Sequence, residues 1–443
     1  MKFESLSQNI IEKTIKAGAT DCDVVLAKGT SKSISYRLGK VEDIEESNGS
    51  TFGIRALIGG KQAFISSSDN DENNIDKLIH RVIQMSKQAP EDETACLGDS
   101  AQYEKEIENL DLFQKDPTEI EKLIEMAQQC EAAALETKGI TNSEGSGSSF
   151  SESEFFIATS DGFSGGYKSS SNSISCSVIA GEGQLMERDY DYAVARHIDD
   201  LHSSSEVGRS SAEKAIRRLN SKKINSCKTP VIFDKRISDD LIGYLASAVS
   251  GNSIARGTSF LKDSLGEQIF SKDISIIDDP KILKGLGSRP FDGEGLKTNK
   301  KEIVQNGVLK TWLLNTSTAK KLNLKSTGNA SRGVGSPPGI GTSNLFMANG
   351  IYSYDDMIKS TKSGFYATEL IGMGVNIITG DYSMGASGMW IENGEIKFPV
   401  SEITIASNLK DMFLNLSAAN DLEFKSRANA PTIRIENMTL AGK

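Results

Sequence analysis

The first ninety residues alternate between the hydrophobic spacing of helices and that of strands. Ile10, Ile11 and Ile15 lie on one face of a predicted opening helix, and a similar spacing predicts a second helix at about 72–87, before Pro90. Between the helices, apolar and polar residues alternate with a period of two, as in strands with one buried face. The alternating segments, separated by Gly39-Lys40, Asn48-Gly49 and Gly59-Gly60, are about 33–38, 41–46, 51–58 and 62–66. This pattern predicts an antiparallel meander with a covering helix.

The same order of elements returns after residue 115. A helix is predicted from Pro117 and another at about 205–219. The strands predicted between them are about 152–159, 163–167, 173–180 and 185–195. The serine-rich stretch 143–153 leads into the first of these strands, and we expect it to be an exposed loop inside the domain. Two helix-plus-meander units favour an α+β architecture over βαβ units.

The C-terminal half mixes strands, helices and hairpins. A strand at 230–233 and a helix at 238–249 open it, and the Asn-Gly pairs at 306–307 and 393–394 each predict a hairpin. Residues 327–344 contain five Gly and two Pro without a clear period. So long an irregular segment inside a compact domain is usually functional or mobile.

Chain length and a polar boundary define the expected domains. A chain of 443 residues can form two or three domains, and the polar run at about 220–228 marks the main break. We expect an N-terminal domain over 1–222, built from units of about 1–115 and 116–222, and a C-terminal domain over 223–443. The predicted fold class is α+β: an N-terminal part rich in antiparallel sheet with covering helices, and a mixed α+β C-terminal domain.

Composition and charge narrow the classes of partner. The formal net charge is −10, which argues against a nucleic-acid-binding surface, because such surfaces need clustered Lys and Arg. No window approaches the apolar length of a membrane span, and the first residues lack the basic and apolar regions of a signal peptide. The five cysteines are widely spaced and include no Cys-x-x-Cys pair, a usage that suits reduced thiols. We therefore expect a cytoplasmic protein without nucleic-acid or membrane partners.

Two side-chain constellations could carry chemistry without any resemblance to a known family. His197 and His202 flank Asp199-Asp200, which could bind a metal but is better explained as a solvated polar turn. Ser317 and Lys320 have the Ser-x-x-Lys spacing of some hydrolases, although a capped helix start explains them better. A hydrolase that uses either set stays open as an alternative.

A third set of motifs is more specific and extends over most of the C-terminal half. It comprises Arg256-Gly257-Thr258-Ser259-Phe260-Leu261, Asp263-Ser264-Leu265-Gly266, Pro290-Phe291-Asp292-x-Glu294-Gly295, Asn306-Gly307 with Trp312-Leu313-Leu314, Lys325-Ser326-Thr327-Gly328-Asn329-Ala330, and the segment from Gly380 to Met412. These motifs resemble the PmbA/TldE branch of the TldD/PmbA family, two-subunit metallopeptidases once called modulators of DNA gyrase. The N-terminal half resembles the family only in general layout.

The resemblance also implies that this chain lacks the family's metal site. The catalytic TldD branch carries a helical His-Glu-x-x-x-His motif upstream of Arg-Gly-Thr-Ser and a cysteine near its C-terminus. Counted back from Arg256, the two histidine positions fall on Ile242 and Ser247 and the glutamate position on Gly243, and no cysteine follows Cys227. The resemblance therefore implies a non-catalytic subunit with no catalytic residue, metal or cofactor of its own. Zinc is expected in a TldD-type partner, with which this chain would form a heterodimer that processes or degrades unfolded or modified peptides.

Small residues before the last hairpin suggest where a peptide could bind. Gly385, Ala386 and Gly388 would let a peptide backbone approach an exposed sheet edge, although tight packing beneath the hairpin explains them equally well. The candidate peptide-binding residues are Asn329, Arg332, Asp381, Gly385, Ala386, Ser387 and Gly388. The alternative function is that of a stand-alone homodimeric peptide-binding or scaffold protein without proteolysis.

Overall fold

The computed structural model describes residues 3–443, and its N-terminal half is built on one large antiparallel sheet. The sheet has six strands in the order β3-β2-β1-β4-β5-β6. Its elements are α1 (Phe3–Lys16), β1 (Asp21–Arg37), β2 (Lys40–Ile58), β3 (Lys61–Ser67), α2 (Glu72–Gln88), α3 (Ile120–Leu135), β4 (Ile140–Thr159), β5 (Ser164–Ala180), β6 (Glu187–Ala195) and α4 (Ser204–Arg217). The two predicted meanders are parts of this sheet, because β1 pairs with β4 over its whole length beyond Cys22.

Two sequence-based predictions in this half are wrong for the same reason. The predicted turn at Asn48-Gly49 lies inside β2, where Gly49 is directly opposite Gly29 of β1. The serine-rich stretch 143–153, expected to be a loop, lies inside β4 between β1 and β5. Pairing on neighbouring strands satisfies the backbone there, and serine hydroxyls bond across the strands, as between Ser149 and Ser173 at 2.7 Å.

The helices bury their apolar faces against the sheet. Asp71 begins α2 by accepting a hydrogen bond from the Asn73 amide, and the helix buries Ile75, Ile79 and Val82 under the first strands. The helices α3 and α4 cover the second half of the sheet. The helix predicted from Pro117 begins at Ile120 instead. No helix within residues 3–443 is long and apolar enough to cross a bilayer.

The C-terminal half contains a closed barrel. Its elements are β7 (Cys227–Phe233), α5 (Asp239–Ala248), α6 (Gly251–Ala255), β8 (Ile276–Asp278), β9 (Lys301–Gln305), β10 (Val308–Leu309), α7 (Thr316–Lys321), β11 (Ala330–Ser331), β12 (Gly339–Ile340), β13 (Leu345–Met347), α8 (Tyr354–Lys359), β14 (Ser363–Ile371), β15 (Asp381–Glu392), β16 (Glu395–Asn408), α9 (Leu409–Leu414), β17 (Leu416–Ala418), β18 (Ala428–Asn429) and β19 (Ile433–Ala441). The strands β16, β15, β14, β7 and β19 are neighbours in that order, and β19 pairs again with β16. This return pairing closes the five strands into a barrel.

Both hairpins predicted from Asn-Gly pairs are present. Gln305 pairs with Val308 across the first turn and Glu392 with Glu395 across the second. Asn393 and Gly394 have the positive φ angles that a two-residue turn needs. With parallel pairing between β7 and β14 beside the antiparallel pairs, the C-terminal half is mixed, and the predicted α+β class is confirmed.

Apolar rings and one loop are among the contacts between the two halves, together with ion pairs such as Arg236–Asp189. Phe291 of the C-terminal half packs against Phe163 and Tyr167 of the large sheet, with ring centroids 5.2 and 5.4 Å apart. The loop that follows β11 reaches β2, where a Cβ added at Gly53 would lie 1.7 Å from the Val334 carbonyl oxygen. Glycine at position 53 is therefore what allows this loop to lie on the sheet.

Candidate functional site

The helix α5 occupies the place in the sequence where the catalytic branch would carry its metal motif. Ile242 is fully buried in the core of the C-terminal half, and Gly243 faces open space. The Ser247 hydroxyl donates a 3.0 Å hydrogen bond back to the Gly243 carbonyl. Isoleucine and glycine side chains cannot ligate zinc, and residues 3–443 contain no group of three or more His, Cys, Asp or Glu placed to hold a metal. The residues present do not fit the zinc that the family implies.

The small-residue segment Gly385–Gly388 does not form an exposed sheet edge, so that part of the sequence-based prediction is wrong. It lies in β15, which pairs with β14 on one side and β16 on the other. A Cβ added at Gly388 would lie 2.0 Å from the Tyr366 carbonyl oxygen, whereas Ala386 and Ser387 are themselves buried. Their small size serves the close approach of β14 to β15, so a peptide cannot add to β15 as a further strand.

Asp381 lies apart from these residues, at the exposed start of β15. Its carboxylate accepts hydrogen bonds from the Thr379 hydroxyl at 2.7 Å and from the Asn408 side-chain amide at 3.2 Å. Asn408 in turn caps α9 by accepting from the Lys410 amide. Within the described chain, Asp381 therefore orders a turn and the start of a helix.

Asn329 is buried inside a polar network that anchors both ends of the loop 327–344. Its side-chain amide donates to Asp278 at 2.9 Å and to the Gly341 carbonyl at 3.1 Å. The Asp278 carboxylate also accepts from the amide and the hydroxyl of Ser343, at 2.7 and 2.6 Å. The two loop ends are thus tied through one buried carboxylate, and Asn329 is out of a peptide's reach.

Arg332 connects the same loop to the N-terminal sheet. Its guanidinium pairs with Asp23 of β1, and Asp23 also binds Arg55 of β2, with Arg55 Nε 2.6 Å from Asp23 Oδ2. The side chains of Asp23, Arg55 and Arg332 are between 2 and 4 % exposed, so the cluster is enclosed. Nε and Nη1 of Arg332 have no hydrogen-bond partner among the described residues. Arg332 is therefore part of the contact between the halves.

A cleft opens beside this cluster, between β2, α6, α7 and the loop 327–344. Its inner cavity has a volume of about 620 Å³, and its outer cavity one of about 740 Å³. Five residues, Asp92, Thr94, Asn252, Arg256 and Ser317, line both cavities and make them continuous. Arg55 and Glu294 line only the inner cavity, and Lys320 and Lys321 line only the outer one. We call the two cavities together the interdomain cleft.

Glu294 is the titratable group with the most unusual surroundings in the cleft. Its side chain is buried, and Oε2 accepts hydrogen bonds from the Thr316 amide at 2.9 Å and hydroxyl at 2.7 Å. Burial and the nearby Asp292 carboxylate raise the pKa of Glu294 to about 7, against the hydrogen bonds from Thr316 and the charge of Arg55. A carboxyl group that is half ionised at neutral pH can exchange a proton or bind a cation.

The other two sequence-based candidates do not form catalytic arrangements. Ser317 lies in the first turn of α7, with its hydroxyl 2.7 Å from that of Thr94, and Lys320 is exposed one turn later. His197 Nε2 is 3.0 Å from the Asp111 carbonyl, and His202 is exposed. Sequence reasoning missed Arg55 and Glu294 as site residues. Glu294 stood in a quoted motif, but nothing in the sequence signalled its burial beside a cavity.

Comparison with known proteins places this geometry in a family. Models described as PmbA/TldA metallopeptidase domain 1, central domain and C-terminal domain match residues 22–86, 114–219 and 226–442. The chain is 37% identical to the Metalloprotease PmbA of Escherichia coli O157:H7, over 97% of this chain and 94% of that protein. It is 36% identical to the Metalloprotease PmbA homolog of Haemophilus influenzae, over 98% and 94% of the two chains.

Solved structures agree in fold. A protein described as a modulator of DNA gyrase from Bacteroides thetaiotaomicron superposes with a TM-score of 0.92 at 27% identity, covering 99% of both chains. TldE from Thermococcus kodakarensis superposes with a TM-score of 0.86 at 22% identity, covering 98% of this chain and 99% of that one. From the matches along its whole length, the chain belongs to the PmbA/TldD metallopeptidase family.

Proposed function

We propose that this chain is the non-catalytic, PmbA/TldE-type subunit of a two-component metallopeptidase of the cytoplasm. A TldD-type partner would hold the zinc ion and cleave unfolded or modified peptides, and this chain would complete the peptide-binding surface. The observation that carries the proposal is the side-chain set on α5, where the core residue Ile242 and the glycine at 243 replace any ligand or proton carrier. Relatives named metalloproteases suggest a role in proteolysis, and a partner reconciles that role with the missing ligands.

Under this proposal, the chain's own residues contribute binding and positioning only. The closed barrel leaves β15 without a free edge, so a peptide is not held there as a sheet strand. The interdomain cleft offers instead a concave surface that carries carboxylates, hydroxyl groups and guanidinium groups. Asp381 remains a candidate for contact with a peptide, because it is exposed.

A reconstitution experiment tests the division of labour. The chain, a TldD-type partner and their mixture would each be given an unstructured fluorogenic peptide, and cleavage would be followed with time. We expect cleavage by the mixture alone, and loss of it after chelation or after alanine replaces both histidines of the partner's zinc motif. Ser247→Ala in this chain should leave the mixture's rate unchanged within about twofold, because its hydroxyl bonds only to its own helix.

Two results would contradict the proposal. Cleavage by this chain alone in the presence of chelator would mean that it carries its own catalytic group. A partner that is fully active without this chain, and that forms no complex with it, would favour the homodimeric peptide-binding protein.

A further inference from the structure

The inner cavity of the interdomain cleft contains an acceptor atom that the fold leaves unused. Both hydrogen bonds that Glu294 accepts go to Oε2, and Oε1 accepts none from the residues that the structure describes. Glu294 is only 4 % exposed, yet it lines the cavity. Oε1 is not fully enclosed by protein, so a donor on a ligand that enters the cavity can reach it.

We propose that the interdomain cleft binds the amino-terminal end of an extended peptide, with the α-ammonium group bonded to Oε1 of Glu294 and the backbone leading outward past Ser317. The choice of a peptide rests on the proposed function. The assignment of an ammonium group rests on the cavity itself.

Two carboxyl groups in the inner cavity can receive a cationic group. Asp92 lines the inner cavity together with Glu294, so an incoming anion would meet two carboxyl groups. Two cations of the described chain line the inner cavity. Arg55 is already occupied, because its guanidinium binds Asp23 and donates to Gln62 at 3.3 Å, whereas Arg256 stands at the junction with the outer cavity, which it also lines. A metal ion is a weaker candidate, since no set of three ligating side chains lies within residues 3–443.

The shape of the cavity favours the end of a chain over its middle. The loop after β11 lies against β2 at Val334, where the backbone approaches Gly53 too closely for any side chain. This contact leaves no passage between loop and sheet at that point, whereas the cavity continues outward past Thr94 and Ser317. A peptide with its first residue at Glu294 can therefore extend along this outward path.

The outer cavity has free cations for the rest of such a peptide. Arg256, Lys320 and Lys321 are exposed and form no ion pair within the described part of the chain. Three acidic residues, Glu91, Asp92 and Glu93, line the same cavity. Donors and acceptors in one cavity suit a peptide backbone, which presents both kinds of group in nearly every residue.

Binding of an ammonium group to Glu294 would be coupled to its proton. Because the carboxyl group is about half protonated at pH 7, pairing with a cation should release its proton and strengthen as the pH rises. Between pH 5.5 and 7.5 the affinity for an amino-terminal ammonium group should rise about tenfold. A residue that only supported the fold would not produce this dependence.

The test uses the full chain alone and three unstructured peptides labelled at the carboxyl end. One peptide has a free amino terminus, one is acetylated there, and one is acetylated but carries an internal lysine. By fluorescence anisotropy at pH 7.5, we expect the free terminus to bind at least tenfold tighter than either acetylated peptide. Glu294→Gln should remove that preference and the pH dependence, while Glu45→Gln on the exposed part of β2 should change neither.

A second variant tests the cleft independently, in case Glu294→Gln does not fold. Asn252 is exposed and lines both cavities, so Asn252→Trp should narrow the cleft without disturbing the core and weaken binding of the free terminus at least fivefold. Circular dichroism and thermal unfolding would establish that each variant is folded.

Several outcomes would overturn the inference. The free-terminus peptide could bind no tighter than the acetylated peptide, or no tighter than the acetylated peptide with an internal lysine. No peptide could bind at all, or the preference for a free amino terminus could be unchanged in both cleft variants. None of them involves cleavage, so the inference can fail while partner-dependent proteolysis stands, and the reverse also holds.

Discussion

One buried carboxyl group should make the stability of this protein depend on pH near neutrality. The pKa of Glu294 is about 7 in the folded chain, whereas an unfolded glutamate titrates near 4.3. Between these values the folded state binds a proton that the unfolded state releases, so stability falls as the pH rises. Between pH 5 and pH 7.5 the free energy of unfolding should fall in both proteins or in the wild type alone. The fall should be larger in the wild-type chain than in Glu294→Gln, by on the order of 2 kcal/mol. Urea unfolding at the two pH values measures this difference, and parallel losses in the two proteins would mean that Glu294 ionises normally.

Gly388 and Gly243 have opposite surroundings in the structure. A Cβ at Gly388 would meet the Tyr366 carbonyl at 2.0 Å, whereas one at Gly243, inside α5, would meet nothing within 4 Å. We expect Gly388→Ala to destabilise the fold by about 2–4 kcal/mol, because backbone must move. Gly243→Ala should stabilise it by about 0.5–1 kcal/mol through helix propensity. Urea unfolding of both variants is the measurement, and a neutral Gly388→Ala would contradict the tight pairing of β14 with β15.

At the scale of elements, local turn chemistry was predictable and pairing across long strands was not. The Asn-Gly pairs at 306–307 and 393–394 make hairpins because both residues can adopt positive φ angles. The same pair at 48–49 stays extended, since β1 is long enough to pair with β2 on both sides of it. The hydroxyl groups of the serine-rich stretch suggested a loop, but neighbouring strands satisfy its backbone. Which segments pair at long range depends on the partner strand, and a local pattern contains no information about that partner.

The loop 327–344 should show protection from hydrogen exchange at its ends and little in its middle. The Ala330 amide donates to Asp292 and the Ser343 amide to Asp278, both inside the protein. Within the described structure, the amides at 333–336 donate no such bond, and the loop is partly exposed there. Exchange followed by mass spectrometry should be slow at 329–331 and 341–343 and fast at 333–336 in the isolated chain. Binding of peptide or partner should slow the middle, and uniform protection in the isolated chain would instead mean a rigid loop.

Across the whole molecule, the candidate site was less predictable than the fold, because it forms where distant segments meet. Asp23, Arg55, Glu294 and Arg332 come from four separate segments of the chain, and they meet only in the folded protein. The absence of family-type ligands at Ile242 and Ser247 was visible in the sequence alone. It predicts that the purified, tag-free chain contains far less than one zinc ion per molecule, as measured by elemental analysis. A stoichiometric transition metal that survives dialysis would overturn the non-catalytic assignment.

One buried carboxylate should stabilise the contact between the two halves, beside the ion pairs Arg236–Asp189 and Arg218–Glu369. Asp23 pairs with both Arg55 and Nη2 of Arg332, whereas Nε and Nη1 of Arg332 have no hydrogen-bond partner among the described residues. Asp23→Asn would remove the carboxylate that both buried guanidinium groups bind and leave them the charge of Glu294, which should cost about 3–5 kcal/mol. Asp21→Asn is the matched control, because Asp21 lies on the same strand and forms no ion pair within residues 3–443. Urea unfolding should separate the two variants, and hydrogen exchange should quicken at β1 and the loop 331–340 in Asp23→Asn alone. Equal stability of the two variants would show that the other contacts, among them the packing around Phe291 and the Arg236–Asp189 pair, join the halves without this ion cluster.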